Sequence, residues 1–188
     1  MKQILINILN EYLKIFPEEK ERQLTISNYL EKSSDEQIAD WNNFEGHIVA
    51  SGFIYLKRDN KFLVVYHNDF KRYLYPGGHA DKKDKNPLET AKREVIEETG
   101  IKKFEELKIA TDSLIPIDID THIIGYNERL NLPKHYHFDF RYVFIIDEFT
   151  DIIIDTEELS DYKWIDIKEI ENIPNCSNIV LKMKKYLN

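Results

Sequence analysis

Residues 86 to 100 carry the strongest local constraint in this chain: a helix with a start and a stop written into it. Asn86 is a favourable N-cap, and Pro87 suits the first helical position, where an N–H would have no partner anyway. Glu89 stands three residues after the cap, as a capping box requires. Gly100 suits the left-handed conformation that closes a helix, with Ile101 after it. The spacing predicts a helix over 87–99, about 20 Å long at the helical rise per residue. Leu88, Ala91 and Val95 fall on one face at offsets of three and four, so that face is the buried one. The rest of the chain has to hold this helix and the glycine-bearing loop before it, Tyr75-Pro-Gly-Gly-His-Ala-Asp81.

The opposite face is acidic. Glu94 and Glu98 are one helical turn apart, and Glu97 is their neighbour. Like charges at this spacing weaken a helix by roughly 0.2–0.5 kcal/mol per pair, a penalty that Lys or Gln would avoid. A hard divalent cation with oxygen ligands would turn the repulsion into binding. Arg93, four residues before Glu97, can pair with it and orient its carboxylate. A solvated acidic face and a cation site both fit these residues taken alone.

Ahead of the helix, Ile4, Ile8, Tyr12 and Phe16 recur every four residues, predicting an amphipathic helix over 3–16. Pro17 ends it or starts the next one, and 17–40 reads as a second, mostly charged helix closing near Trp41-Asn-Asn-Phe44. These helices form an N-terminal extension over residues 1–44, which either packs on the core or offers a face to a second copy of the chain as a homodimer. From His47 the texture changes. Ile48–Leu56 and Lys61–Tyr66 are rich in strand formers and flank Asp59-Asn60, a hairpin signature. A short strand at Tyr73–Tyr75 delivers the glycine pair. Beyond the helix, Leu107–Asp120 alternates like one or two strands, 129–135 is a polar loop and His137–Ile146 is a long strand. Asp151–Asp161 reads as an acidic loop, Tyr162–Asp166 as a strand, and 167–173 and 176–187 as closing helices. Interspersed strands and helices give an α/β class with a mixed sheet.

Bulk properties narrow the partners. With 188 residues the chain can bury a sizeable core, and a net charge of −8 argues against a large phosphate-binding face for nucleic acid. An anionic small molecule stays compatible with that charge, because a bound cation reverses the local field. The single cysteine, Cys176, can form no intrachain disulfide, and no Cys/His cluster has zinc spacing along the chain. The apolar start is interrupted by Asn7, Asn10 and Glu11, and no run nears the roughly 18 apolar residues of a membrane span, so the chain reads as soluble and cytoplasmic.

Arg93-Glu-Val-Ile-Glu-Glu-Thr-Gly-Ile101 resembles the second half of the Nudix box, R-E-U-x-E-E-x-G-U with U aliphatic, at every specified position, and Gly77-Gly78 lies upstream at nearly the family spacing. The loop and His135-Tyr-His137 also resemble a branch of that family. The resemblance implies an α/β/α sandwich with a mixed sheet over 45–188, behind the helical extension, and hydrolysis of a diphosphate linkage in a nucleoside diphosphate derivative or related small molecule. It implies Mg²⁺ or Mn²⁺ held by Glu94, Glu97, Glu98 and the Gly78 carbonyl, with Arg93 orienting Glu97. The general base would be Glu97, or Glu157 or Glu158 before Trp164. Arg72, His79 and His137 are candidates to meet substrate, Tyr73, Tyr75 and Tyr142 to stack on a base. The chain departs from the pattern once: Asp84 replaces the first glutamate, and the loop is one residue longer. Two rival readings share the fold, a ligand sensor without turnover and an isopentenyl-diphosphate isomerase, which would want a cysteine near the glycine loop.

Overall fold

The computed structural model describes residues 1–38, 40, 42–111, 114–126, 132–171 and 176–187. The first helix, α1 (Lys2–Ile15), buries Leu5, Ile8, Leu9 and Tyr12, as its periodicity predicts. The charged stretch read as one helix over 17–40 is broken into a 3-10 turn at Pro17–Glu19, α2 at Leu24–Lys32 and a single turn, α3, at Asp35–Ile38. The second break has a local cause. Ser33 is extended, and Ser34 and Gln37 form a reciprocal capping box: the Ser34 N–H donates to Gln37 Oε1 at 2.8 Å, and the Gln37 N–H to Ser34 Oγ at 3.3 Å. Trp41, at the expected end of the extension, lies outside the described residues.

Strands β1 (Gly46–Leu56) and β2 (Lys61–His67) form the expected hairpin, with Asn60 at φ 55° in its turn. Next come β3 (Arg72–Leu74) and β4 (Gly77–His79). The capped helix is α4 (Pro87–Thr99); the Asn86 side chain accepts from the Glu89 N–H, and Gly100 takes φ 72°. The alternation over 107–120 does not become a strand along its length. A two-residue strand, β5, sits at Glu105–Glu106, and β6 runs over Asp118–Ile124. Pro116, which has no N–H to give to a ladder, stands just before the pairing resumes. The Ile117 N–H then donates to the Arg141 carbonyl at 2.9 Å. Of the expected 129–135 loop, residues 129–131 are outside the described set, and the next strand, β7, begins at His135 and ends at Ile146. The chain closes with β8 (Leu159–Asp166), α5 (Ile167–Glu171) and α6 (Ser177–Tyr186).

One mixed sheet holds these strands. Its axis is the parallel pair of β1 and β7, in unbroken register from Gly46↔Tyr136 to Leu56↔Ile146. Every other pairing among the described residues is antiparallel. β1 is buried along its whole length, which suits a central strand covered on both faces. Helix α4 rests on β1 where Gly52 leaves room: a Cβ there would stand 2.3 Å from Val95 Cγ2. The β1–β2 hairpin is joined only at Tyr55↔Phe62 and Leu56↔Lys61. Beyond that the strands part, β1 pairing with β4 and β2 with β3 and β8. The opening between them becomes the cleft described below.

The N-terminal helices share the main hydrophobic cluster, which joins Leu5, Ile8, Tyr12, Ile26 and Leu30 to Phe138, Ile179 and Met183. They are also tied in by charge. Asp118, fully buried at the start of β6, receives Arg22 at 2.5 Å, Lys182 of α6 at 2.7 Å and, more weakly, Arg141 at 3.5 Å. Glu19 completes the cluster, 2.7 Å from Arg22 and 2.5 Å from Lys182. Removing one partner from such a buried group leaves uncompensated charge, so Asp118→Asn is expected to destabilise the protein by about 3–5 kcal/mol. Urea unfolding would measure it; a loss under about 1 kcal/mol, the value of an exposed ion pair, would contradict the placement.

Candidate active site

The glycine stretch and α4 meet at the edge of β1. Gly77 and Gly78, read as a loop, are in fact a short strand: Ser51↔Gly77, Ala50↔Gly78 and Val49↔His79 are register partners. Neither glycine has a positive φ, so they are there for space rather than for an unusual backbone. A Cβ on Gly77 would lie 2.6 Å from Ser51 Oγ, and one on Gly78 would lie 2.6 Å from Glu94 Oε1. The Glu94 carboxylate thus rests directly against the β4 backbone, and the Gly77 N–H donates to Glu98 Oε2 at 3.3 Å.

Glu94 and Glu98 are crowded and shielded from water. Burial, opposed by Arg93, raises the Glu94 carboxyl to about 7. Burial and then the neighbouring Glu94 charge raise Glu98 to about 9. At Glu94 desolvation outweighs the ion pair with Arg93, and at Glu98 burial and the Glu94 charge outweigh the single Gly77 N–H bond. Glu97 is more exposed and is held from below by Arg93, whose Nη1 donates to Glu97 Oε2 at 2.8 Å and to Glu94 Oε1 at 2.7 Å.

Asp84, the position where the chain departs from the Nudix pattern, holds the other side of Arg93. The guanidinium Nη2 donates to Asp84 Oδ2 at 3.0 Å and to the His79 carbonyl at 2.8 Å, and Nε reaches both Asp84 oxygens at 3.3 Å. Thr90 Oγ1 donates to Asp84 Oδ2 at 3.0 Å, and the Asp81 N–H to the same oxygen at 2.9 Å. Burial alone would raise the Asp84 carboxyl, but these donors, Arg93 first, hold it below its ordinary value. A turn at Asp81–Asp84, closed by the Asp84 N–H donating to the Asp81 carbonyl at 3.0 Å, presents the Asp side chain to the arginine.

An open cleft of about 400 Å³ runs from these carboxylates across the parted strands. Arg72, Gly78, His79, Arg93, Glu94, Glu97, Glu98, His137 and Glu158 all line it, so most of the sequence candidates converge. Glu157 does not line it; it is exposed, and its N–H donates to Asp155 Oδ1 at 2.9 Å. Of the three tyrosines, Tyr75 reaches the cleft wall while its hydroxyl accepts from Arg141 at 2.7 Å. Tyr73 binds Asp161, and the buried Tyr142 donates to the Leu114 carbonyl at 3.0 Å, so both have structural partners. Cys176 is buried off the cleft, and burial pushes its thiol up to about 11.

Several site-forming residues escaped the sequence reading. Asp155, Asp139 and His122 line the cleft, and His47 lies behind it against His79, His135 and His137. Asp139 accepts from Ser51 Oγ and Arg141 Nε, both at 2.8 Å, and Arg141 Nη2 also reaches Asp120 at 2.9 Å. A signal for them was present: His135, His137, Asp139 and Arg141 alternate with Tyr136, Phe138, Phe140 and Tyr142, so one face of a buried strand is polar.

Because Asp84 is buried and its oxygens are occupied by Arg93 and Thr90, Asp84→Ala is expected to lower stability by about 2 kcal/mol, the scale for a lost charge-assisted bond. Thermal or urea unfolding of that variant beside Lys83→Ala, an exposed neighbour, would check it; equal effects would contradict the assignment.

Comparison with known proteins agrees with this architecture. The family model described as NUDIX domain matches residues 46–184. A curated relative, the probable DHNTP pyrophosphohydrolase of Lactococcus lactis subsp. cremoris, is 32% identical over 150 residues, 79% of this chain and 81% of that one. The RNA pyrophosphohydrolase of Bartonella henselae is 30% identical over 139 residues, 68% of this chain and 73% of that one. Among solved structures, a NUDIX-family hydrolase from Clostridium perfringens superposes with a TM-score of 0.54 at 22% identity, covering 73% of this chain and 93% of that one. The E. coli dihydroneopterin triphosphate pyrophosphohydrolase does so with a TM-score of 0.54 at 13% identity, covering 74% and 93%. At such identities the structures speak for the fold alone, whereas the family match spans most of the chain. With its mixed sheet, its capped helix and its box residues gathered at one cleft, this chain belongs to the NUDIX domain family.

Proposed function

We propose that this chain hydrolyses a diphosphate linkage in a nucleoside diphosphate derivative or related small molecule, using Mg²⁺ or Mn²⁺ held by Glu94, Glu97, Glu98 and the Gly78 carbonyl. By its family and its relatives it is a Nudix pyrophosphohydrolase. The metal, the residue roles and the substrate class are what the proposal adds. The observation that carries it is the crowded pair Glu94–Glu98 against the glycine strand, with the Glu94 carboxylate beside Gly78 and Glu98 accepting from the Gly77 N–H. The donor set is all oxygen, which fits a hard divalent cation. When bound, such an ion supplies charge neutralisation at the phosphoryl oxygens and a more acidic water.

The chain's own groups divide the remaining work. Arg93 fixes Glu94 and Glu97 and is itself fixed by Asp84, so the carboxylates are aimed before substrate arrives. Glu97 and Glu158, both on the cleft, are the candidates to take a proton from the attacking water; Glu157, off the cleft, is the weaker choice. Arg72 stands at the rim for a phosphate, and His79 and His137 line the same cleft as candidates to meet substrate. Burial, followed by neighbouring histidines, lowers His79 to about 4 and His137 to about 2. A small substrate is favoured over nucleic acid by charge: the cleft lining sets Asp81, Glu94, Glu97, Glu98, Asp139, Asp155 and Glu158 against Arg72 and Arg93. A sensor that binds without turnover is the second reading, but the complete carboxylate set favours hydrolysis.

The test is turnover of a panel with Mg²⁺ or Mn²⁺, including sugar nucleotides, dinucleoside polyphosphates, dihydroneopterin triphosphate and 5′-triphosphorylated RNA. Glu98→Gln is expected to lose more than about 100-fold in kcat, beyond what an outer positioning partner is worth, with its unfolding curve preserved. Full activity in Glu98→Gln, or in EDTA, would sink the metal assignment; binding without turnover across the panel would favour the sensor.

A further inference from the structure

Five of the six histidines meet at one end of the sheet, although no two of the five lie closer than two positions in sequence. His47 comes from β1, His79 from β4, His122 from β6, and His135 and His137 from β7. The strand register does this: His47 and His122 are both partners of His137, on opposite sides, and His79 pairs with Val49, two positions along β1 from His47. His47 and His137 are buried and His79 is half-buried.

We propose that His47, His79 and His137 form a second metal site, separate from the carboxylates, that takes a borderline transition-metal dication such as Zn²⁺ in preference to Mg²⁺. One ring nitrogen from each of the three lies within 4.8 Å of those of the other two. His79 Nε2 and His137 Nε2 are 3.2 Å apart. Two nitrogens bound to one tetrahedral Zn²⁺ stand about 3.3 Å apart, so this edge of the site is already near the required separation.

Proton counting points the same way. His137 Nε2 is also 3.1 Å from His135 Nε2. A neutral ring nitrogen has either one hydrogen or one lone pair, so it can make a full hydrogen bond to only one of these neighbours. His135 Nδ1 lies 2.7 Å from the Pro133 carbonyl, which fixes its proton on Nδ1 and turns the Nε2 lone pair toward His137. Backbone-carbonyl support of this kind is what orients metal-bound imidazoles, and it leaves His135 beside the trio as a ready fourth donor. A cation among these nitrogens would draw on Nε2 lone pairs such as the one His135 turns toward His137. Imidazole donors select Zn²⁺, Co²⁺, Ni²⁺ or Cu²⁺, whereas Mg²⁺ prefers oxygen. Access exists on two sides: His79 and His137 reach the cleft, and His47 and His79 line a smaller cavity under Met1, Ile38 and Asp40 of the N-terminal extension.

The site stands or falls independently of the Mg²⁺ reading, and its test needs no turnover. Chelator-stripped full-length protein would be titrated with Co²⁺ in excess Mg²⁺, reading the visible bands of tetrahedral cobalt and their displacement by Zn²⁺. One equivalent is expected to bind, and Glu94→Gln/Glu98→Gln should retain the bands. His47→Ala, or His47→Gln if the alanine variant does not fold by circular dichroism, should weaken Co²⁺ binding by at least about 100-fold. His67→Ala, at the histidine outside the cluster, should leave it unchanged. Absence of tetrahedral bands, their persistence in a folded His47 variant, or their loss in the glutamate variant would each overturn the proposal.

Discussion

The parallel pairing of β1 with β7 is the constraint on which the remaining structure rests. The two segments are some 90 residues apart in the chain, yet their register runs without a slip from Gly46↔Tyr136 to Leu56↔Ile146. Since side chains alternate along a strand, a shift of one residue would turn every polar group of β7 to the other face. The observed register pairs Ser51 with Arg141, so that the Ser51 hydroxyl reaches Asp139 two residues along β7, sets His47 beside His137, and leaves Gly52 under Val95 of α4. One long pairing therefore fixes both the apolar seat of the helix and the polar wall of the cleft.

The carboxylate corner is built from a second, shorter-range device. Arg93 joins Asp84, the His79 carbonyl, Glu94 and Glu97, so the loop, the glycine strand and the helix are held through one guanidinium. A planar fork of donors suits several acceptors at once in a way a lysine ammonium would not. This explains how the chain accommodates its departure from the family pattern. Asp84 is one methylene shorter than Glu, yet it reaches the guanidinium with both oxygens. The two glycines make the arrangement close: a Cβ on Gly78 would displace the Glu94 carboxylate, and one on Gly77 would meet the Ala50 carbonyl at 2.8 Å.

The N-terminal helices belong to the same physical unit as the sheet. Asp118 gathers Arg22 from the extension and Lys182 from the C-terminal helix within the protein interior, while Gln23 donates to the neighbouring Ile119 carbonyl at 2.8 Å. Buried charge of this kind is weak evidence for net stability but strong evidence for a defined arrangement, since each member left alone would be costly. The extension also roofs the histidine end of the sheet, through Met1, Ile38 and Asp40.

Helix α4 was legible from sequence almost to the residue, because caps, proline and glycine act over three or four positions and depend on nothing distant. The same holds for the carboxylate trio, whose mutual positions are set by helical pitch, and for the hairpin around Asn60. The 17–40 segment and the 107–120 alternation differ from their sequence reading: a Ser34–Gln37 capping box restarts the first, and the second pairs only from Asp118 onward among the described residues. What sequence alone determined, then, was the acidic helix face and the family to which the chain belongs. Tertiary structure alone decided which groups stand opposite that face. His47, His122, Asp139 and Asp155 come from separate elements, and their meeting depends on strand register and on where β1 and β2 part, quantities that no local pattern encodes.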